Sequence, residues 1–228
     1  MLHLSLALFA FLVLHLIPAM PGMRERLVGG LGQTRYMIVH SVISTATLVW
    51  VILATLNAPA IMLWPAAGWQ AWVTLVLSPL GLFFIIAGLL SPNPLSLSVR
   101  PASEVQSGIS RITRHPVFWG ALLWAVSHIA PNGDLRSVLL FGSMAALAAG
   151  GFALGDRRAR RKLGPRWETL ASTTSVIPFL AIAQGRTRFR IDPPIIVAAL
   201  LTALVTGWLL HGGHAVLFGV DPLTATQY

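Results

Sequence analysis

The sequence predicts an all-α polytopic membrane protein, a bundle of about six transmembrane helices with both termini on the outer side of the membrane. Three observations predict it. Of 228 residues, 55% are hydrophobic and only 10% are charged, and the mean hydropathy is +0.74. Because a soluble domain carries about 25% charged residues, lipid must solvate most of this chain. We predict a single transmembrane domain over residues 1–228.

Six apolar segments are candidate spans, since a helix needs about 20 apolar residues to cross the hydrocarbon core. They are Leu2–Ile17, Met37–Leu56, Ala71–Leu90, Val117–Ala130, Leu135–Leu154 and Ile195–Leu210. The first lacks a basic start and a small-residue cleavage site, so we expect a retained helix and not a signal peptide. The fourth is short. In the fifth, Gly142, Ala146 and Gly150 recur at four-residue spacing, with Ser143, Ala145, Ala149 and Gly151 nearby. These small residues predict a close helix–helix contact.

Basic residues predict the orientation of these spans. Fifteen of the 16 lysines and arginines lie in links on one side of the membrane, and only Arg136 lies on the other. By the positive-inside rule the basic side is cytoplasmic, and we expect a bacterial inner-membrane protein with both termini outside. The run Arg157–Lys162 should contact anionic lipid headgroups. This placement of charge argues against a nucleic-acid partner.

Histidine is the chemical feature that remains once other groups are excluded. The chain has no cysteine, which excludes thiolate chemistry, and no acidic residue lies inside a predicted span, which argues against proton-coupled transport. His15 and His128 lie within apolar segments, and neutral imidazole is the usual protein ligand of haem iron. His115 precedes Pro116 and could cap segment 4 or contact a ligand. The remaining four lie near predicted interfaces, where histidine is ordinary: His3, His40, His211 and His214.

Several short motifs, in their order and spacing, resemble the NnrU family. They are His15 with Arg24 and Leu31–Tyr36, then Ser91–Pro94, then residues 108–120 with Trp124 and His128–Asp134. The later stretches Gly155–Arg158 and Thr174–Phe179 also resemble the 15-cis-zeta-carotene isomerases of plants and algae, which are relatives of NnrU.

This resemblance implies a b-type haem held by two histidines, which by motif position would be His15 and His128. It also implies a redox or cis–trans isomerase-like activity, linked to nitrite and nitric oxide metabolism or to carotene isomerisation, with a hydrophobic substrate or a redox partner. A rival ligand pair is His15 with His115, which would bring the haem propionates near Arg111 and Arg114. His115 and His128 cannot share one haem, because a helix of that length separates them by about 20 Å.

Two alternative functions remain open at this point. Residues 114–120 resemble the Arg-His-Pro-x-Tyr-x-Gly motif of isoprenylcysteine-type membrane methyltransferases, with Phe118 where tyrosine is usual. An S-adenosylmethionine-dependent methyltransferase would also need acidic residues in its cofactor region, Lys162–Trp167, and only Glu168 is nearby. The family association also allows a non-enzymatic accessory factor for nitric oxide reductase.

Overall fold

The structure, a computed structural model, describes residues 1–16, 22–101 and 106–227. These residues form helices and no strand, and their one β-type pairing is an isolated bridge between Met62 and Asp134. The all-helical fold class is therefore confirmed.

Four of the described helices are long and apolar enough to cross a membrane. They are α3 (Gln33–Asn57), α4 (Gly68–Leu90), α7 (Leu135–Leu163) and the continuous stretch Pro193–Phe218, which contains α10 (Pro193–Trp208), a π-helical turn (Leu209–Gly213) and α11 (His214–Phe218). Each has 23 residues or more, which at 1.5 Å per residue spans the roughly 30 Å hydrocarbon core. These helices indicate a membrane protein.

The other two predicted spans are shorter helices. Helix α1 (Leu2–Leu16) has 15 residues and α6 (Pro116–Ile129) has 14, and the end of the first predicted segment, Ile17, lies outside the described residues. The count of six spans is therefore not confirmed. The side of the membrane on which each loop and terminus lies stays a prediction. The remaining described helices are short: α2 (Met23–Leu31), α5 (Gly108–Ile112), α8 (Arg166–Ser172), α9 (Leu180–Ala183) and a 3-10 turn (Thr224–Gln227).

Helix α7 is nine residues longer than the predicted segment that ended at Leu154. Arginine, lysine and alanine are good helix formers, and cations are favourable beside the negative end of the helix dipole, so the helix continues through the basic run. Gly164 then ends it in the left-handed region at φ +55°, donating to the carbonyl of Arg160 at 2.9 Å. Asp156, two residues beyond the predicted segment, therefore lies within α7.

The described chain forms two compact units. The first comprises Met1–Pro65 and Gly133–Ser143, and in it α1 packs against α3. Asp134 caps the start of α7 by accepting from the Ser137 backbone N–H at 3.1 Å. Arg136 pairs with Asp134 at 3.3 Å and donates to the carbonyl of Ala58 at 2.9 Å, so it satisfies the C-terminal end of α3.

The second unit comprises Ala66–Asn132 and Met144–Tyr228. Its core joins α4, α5 and α10 through the buried residues Phe84, Ala87, Ile109, Ile112, Ile195 and Ala198. Helices α4 and α6 approach backbone to backbone, because a Cβ added at Gly81 would lie 2.7 Å from the Gly120 carbonyl oxygen. This contact holds α6, and the histidines at its two ends, against α4.

The small-residue contact predicted for segment 5 lies at Gly151, one of the neighbouring small residues, and not at Gly142 or Gly150. A Cβ at Gly142 or Gly150 would meet nothing within 4 Å, whereas one at Gly151 would lie 2.6 Å from the Phe118 ring. The four-residue spacing identified small residues correctly but selected the wrong face of the helix, because the close partner is a bulky phenylalanine ring that fits over Gly151 and Gly155.

Candidate functional site

The second unit contains a dense polar cluster formed by Arg114, His115 and Asp156. Arg114 Nη1 lies 2.7 Å from Asp156 Oδ2, and His115 Nε2 lies 3.0 Å from Asp156 Oδ1. The Asp156 carboxylate therefore uses both oxygens, one for each cation or donor. We call these three residues the ion-pair cluster.

All three nitrogens of the Arg114 guanidinium donate to protein acceptors. Its Nε donates to Thr174 Oγ1 at 3.0 Å and its Nη2 donates to the Ala171 carbonyl at 3.0 Å. The backbone around it is fixed too, since the Arg114 N–H donates to the Ser175 carbonyl at 2.7 Å and the Arg114 carbonyl accepts from Asn93 at 3.0 Å. Arg114 thus ties the loop before α6 to α7 and to the segment after α8.

His115 is enclosed on all sides and has 0% of its surface exposed. Nε2 donates to Asp156, and Nδ1 lies 2.9 Å from Ser96 Oγ. The rings of Phe118 and Phe152 lie 5.7 Å and 6.1 Å from the imidazole centroid. Both ring nitrogens already have partners, so this arrangement suits a buried structural tie between α6 and α7.

Arg111 is less completely satisfied than Arg114. Its Nη1 donates to the Arg188 carbonyl at 3.2 Å and to Thr187 Oγ1 at 3.4 Å, while its Nε is buried and has no hydrogen-bond partner among the described residues. The prediction that Arg111 and Arg114 contact an anionic group of a cofactor stays a prediction. Of the two, Arg111 has a buried nitrogen, Nε, without a partner among the described residues.

His128 lies near the C-terminal end of α6, at the opposite end of that helix from His115. Its Nδ1 donates to the Trp124 carbonyl at 2.7 Å, and its ring packs 4.9 Å from the Trp124 ring. Because a carbonyl oxygen can only accept, this bond fixes the neutral tautomer with the lone pair on Nε2. A backbone bond of this kind is the usual support of a histidine that ligates a metal.

His15 has the same tautomer in the first unit. Its Nδ1 donates to the Phe11 carbonyl at 2.8 Å, which leaves the lone pair on Nε2. Nε2 accepts from Ser44 Oγ on α3 at 3.1 Å. The His40 ring lies 6.3 Å away by centroids and is itself stacked on Tyr36 at 5.7 Å. The structure therefore surrounds His15 with polar groups of α3.

The structure brings some of the predicted residues together. Arg114 and His115 meet through Asp156, while His128 is separate from them within the same unit, and His15 belongs to the first unit. The pairing of His15 with His128 or with His115 stays a prediction. Among the described residues no group of three or more His, Cys, Asp or Glu side chains could hold a metal ion.

The predicted headgroup-binding run lies on the last turns of α7. The side chains of Arg157, Arg158, Arg160, Arg161 and Lys162 are exposed, and Arg160 stacks over the Trp167 ring at 3.9 Å. Contact of this surface with anionic headgroups stays a prediction.

Four residues of these sites escaped prediction from sequence: Asp156, Ser96, Tyr36 and His40. Asp156 carried one available signal, because it is the acidic residue of the Gly155–Arg158 motif. Tyr36 lies in the Leu31–Tyr36 motif, and with His40 it has the four-residue spacing that places both on one helix face. The contact of Ser96 with His115 comes from tertiary packing and had no local signal.

The helices and the histidine sites define an all-helical protein with helices fit to cross a membrane. The chain belongs to the NnrU family, since the family model described as "NnrU protein" matches residues 3–222. That match covers both units.

Two curated relatives are similar over part of the chain. The chloroplastic 15-cis-zeta-carotene isomerase of Arabidopsis thaliana is 39% identical over 83 residues, which is 36% of this chain and 22% of the relative. The protein of the same name from Zea mays is 36% identical over 87 residues, 38% of this chain and 24% of the relative. The aligned residues thus span less than a quarter of either relative. No solved structure gives a significant match.

Proposed function

We propose that this chain is a haem-b-binding membrane protein of NnrU type with cis–trans isomerase-like or redox activity, and that His15 and His128 are the axial ligands. One observation carries the proposal: each of these half-buried imidazoles donates from Nδ1 to the carbonyl four residues earlier, so Nε2 carries the lone pair that iron needs. The similarity to 15-cis-zeta-carotene isomerases supports the isomerase-like activity.

The residues present fit a haem. Two neutral imidazoles are suitable axial ligands, and each lies on an apolar helix beside aromatic rings, Phe11 for His15 and Trp124 for His128. When bound, haem b supplies a one-electron redox centre. His15 and His128 would hold and orient it, and the surrounding apolar side chains would exclude water from it.

His115 is the weaker candidate as a ligand. Its ligation would require loss of the bond to Asp156 or the contact with Ser96, and would disturb the ion-pair cluster. For His15, ligation would displace a single serine hydroxyl. At His128, ligation through Nε2 would keep the bond from Nδ1 to the Trp124 carbonyl. His128 is therefore favoured over His115 as the second ligand beside His15.

The substrate class follows from the relatives and from the solvent. A linear polyene hydrocarbon dissolves in the bilayer core, and α3 and α4 expose apolar side chains such as Leu53, Leu56, Val76 and Leu80. A carotene-type substrate could thus reach the protein laterally from lipid. Nitric oxide, a small ligand of haem iron, is the second substrate class that the same site would take, in keeping with a role in nitrite and nitric oxide metabolism.

The methyltransferase and accessory-factor alternatives rest on resemblance alone. In the methyltransferase-like motif, Arg114 and His115 already bond to protein partners. Their contacts therefore give no support to a methyltransferase. Binding of S-adenosylmethionine by the purified protein would revive it. An accessory factor would lower nitric oxide reductase activity when deleted and would turn over nothing by itself.

The test is an absorption spectrum of protein expressed with ample haem. We expect a Soret band in the wild type and its loss in His15→Ala and in His128→Ala. His211→Ala is the matched control, because His211 Nδ1 makes the same kind of bond, 2.8 Å to the Gly207 carbonyl, yet lies on α10's continuation; it should keep the band. A wild type without a Soret band, or equal haem content in all four proteins, would refute the proposal.

A further inference from the structure

Tyr36 carries a buried hydroxyl that no described group satisfies. The residue is 7% exposed, and its phenolic oxygen has no hydrogen-bond partner. Buried polar atoms of native proteins are almost always paired. An unpaired phenol this deeply buried indicates a partner outside the described residues, such as a bound group.

The neighbours of Tyr36 lead directly to His15. The phenol ring is stacked on His40, with centroids 5.7 Å apart and ring planes 18° from parallel. His40 in turn lies edge-on to His15, with centroids 6.3 Å apart. The three rings form a continuous aromatic and polar row between α1 and α3 within the first unit.

A positive charge close to Tyr36 belongs to Arg24, whose guanidinium carbon lies 5.8 Å from the centre of the phenol ring. Arg24 is half-buried and has a long 3.4 Å bond to Gln33. Unlike Arg114, it is not locked in an ion pair among the described residues. A phenolic donor beside an uncommitted guanidinium is suited to an anionic oxygen.

A hydrocarbon substrate could not satisfy this hydroxyl, because a polyene has no hydrogen-bond acceptor. A haem has two carboxylates at one edge. His15 is the second-last residue of α1, while Arg24 and Tyr36 lie in the first turns of α2 and α3. The ends of all three helices thus provide a ligand for the iron and donors for a carboxylate at the border of the apolar region.

We infer that the Tyr36 hydroxyl donates to a propionate carboxylate of the haem held by His15, with Arg24 supplying the balancing charge. The inference rests on the proposed function and adds two residues to it. His40 acts as a positioning residue, since its ring holds the Tyr36 phenol in place.

The experiment compares Tyr36→Phe with the wild type in haem retention, measured as the rate of transfer to excess apomyoglobin. The substitution removes one oxygen and keeps the ring that stacks on His40. Thr47→Val is the matched control on the same helix, because the Thr47 hydroxyl already bonds to the Ile43 carbonyl at 2.9 Å. A parallel series uses haem dimethyl ester, which lacks the carboxylates.

We expect Tyr36→Phe to lose haem about 10-fold faster than the wild type, the usual effect of removing a hydrogen bond to a charged group, and Thr47→Val to match the wild type. With the dimethyl ester, whose neutral carbonyls are weaker acceptors than a carboxylate, the difference between Tyr36→Phe and the wild type should be much smaller.

Three results would overturn the inference, and they are distinguishable. A wild type that binds no haem would remove the proposed function together with it. Haem binding lost in His15→Ala but unchanged in Tyr36→Phe would leave the proposed function and refute the Tyr36 contact. If Tyr36→Phe weakened retention of haem and of its dimethyl ester equally, Tyr36 would act only through His40 and His15, or its partner would be another anion such as a lipid phosphate.

Discussion

The polar residues around His115 and those around His15 are satisfied to very different degrees. In the ion-pair cluster both ring nitrogens of His115, both oxygens of Asp156 and three nitrogens of Arg114 have protein partners. Around His15, Ser44 Oγ is the partner of Nε2 among the described residues, and the nearby Tyr36 hydroxyl has no partner among them. A saturated polar cluster stabilises the fold, whereas an unsaturated one has capacity to bind.

The difference also follows from the charges. Arg114 and Asp156 are mostly buried, with side chains 9% and 22% exposed, and a buried charge must be paired. His15 itself contacts aromatic rings and a serine hydroxyl, and exchange of such a hydroxyl for another partner has a small cost.

The largest expected effect comes from Asp156→Asn, which removes the charge that balances Arg114 and keeps the side-chain volume. Breaking a buried ion pair leaves an uncompensated charge, so the free energy of unfolding should fall by about 3 kcal/mol. Denaturation by SDS in mixed micelles, followed by circular dichroism, measures it. Glu168→Gln, at an exposed acid of α8, should change stability by less than about 0.5 kcal/mol. Similar small losses in both variants would mean that the ion-pair cluster is not structural.

A smaller effect is expected from Gly120→Leu, at the contact between α4 and α6. Its Cβ would lie 2.7 Å from Ile85 Cγ1, so the two helices must move apart, at a cost of about 2 kcal/mol. Because His128 lies on α6, haem content should fall as well. Gly150→Ala is the matched control, since its Cβ meets nothing within 4 Å and alanine favours a helix by about 1 kcal/mol. Its stability should stay the same or rise.

The smallest effect is expected from Ser44→Ala, which removes the hydroxyl that meets His15 Nε2. The Ser44 hydroxyl must leave His15 Nε2 before iron can bind, and a net hydrogen bond contributes about 1 kcal/mol. Haem affinity should therefore rise about fivefold, measured by Soret titration of the protein freed of haem. Ser41→Ala, at an exposed serine of the same helix, should leave affinity unchanged. Weaker haem binding in Ser44→Ala would mean that Ser44 supports the ligated histidine.

Hydropathy alone was enough to predict an all-helical chain and to locate the apolar helices. Hydropathy predicted six spans, whereas four of the described helices are long enough to cross a membrane. The difference arises because α1 and α6 are apolar but short. Hydropathy also placed the end of α7 too early. A run of charged residues lowers the hydropathy, although arginine and lysine favour helices. The histidine positions were readable because a polar ring in an apolar run is conspicuous.

The partners of those histidines were not readable from sequence. The contacts His115–Ser96 and His115–Asp156 join residues 19 and 41 positions apart, and His15–Ser44 joins residues 29 apart. Such pairs depend on the register in which helices pack, which hydropathy does not specify. The motif matches came closest, since Tyr36 and Asp156 both lie in them, but a motif does not say which of its residues touch.

The most direct measurement titrates haem into His15→Ala and His115→Ala, with the unfolding free energy of each determined in the same detergent. We expect His15→Ala to keep nearly wild-type stability and to lose the Soret band. His115→Ala should lose about 3 kcal/mol of stability, while its folded fraction binds haem in the wild-type ratio. The reverse pattern, with haem kept in His15→Ala and absent from folded His115→Ala, would show that His115 and not His15 ligates the haem.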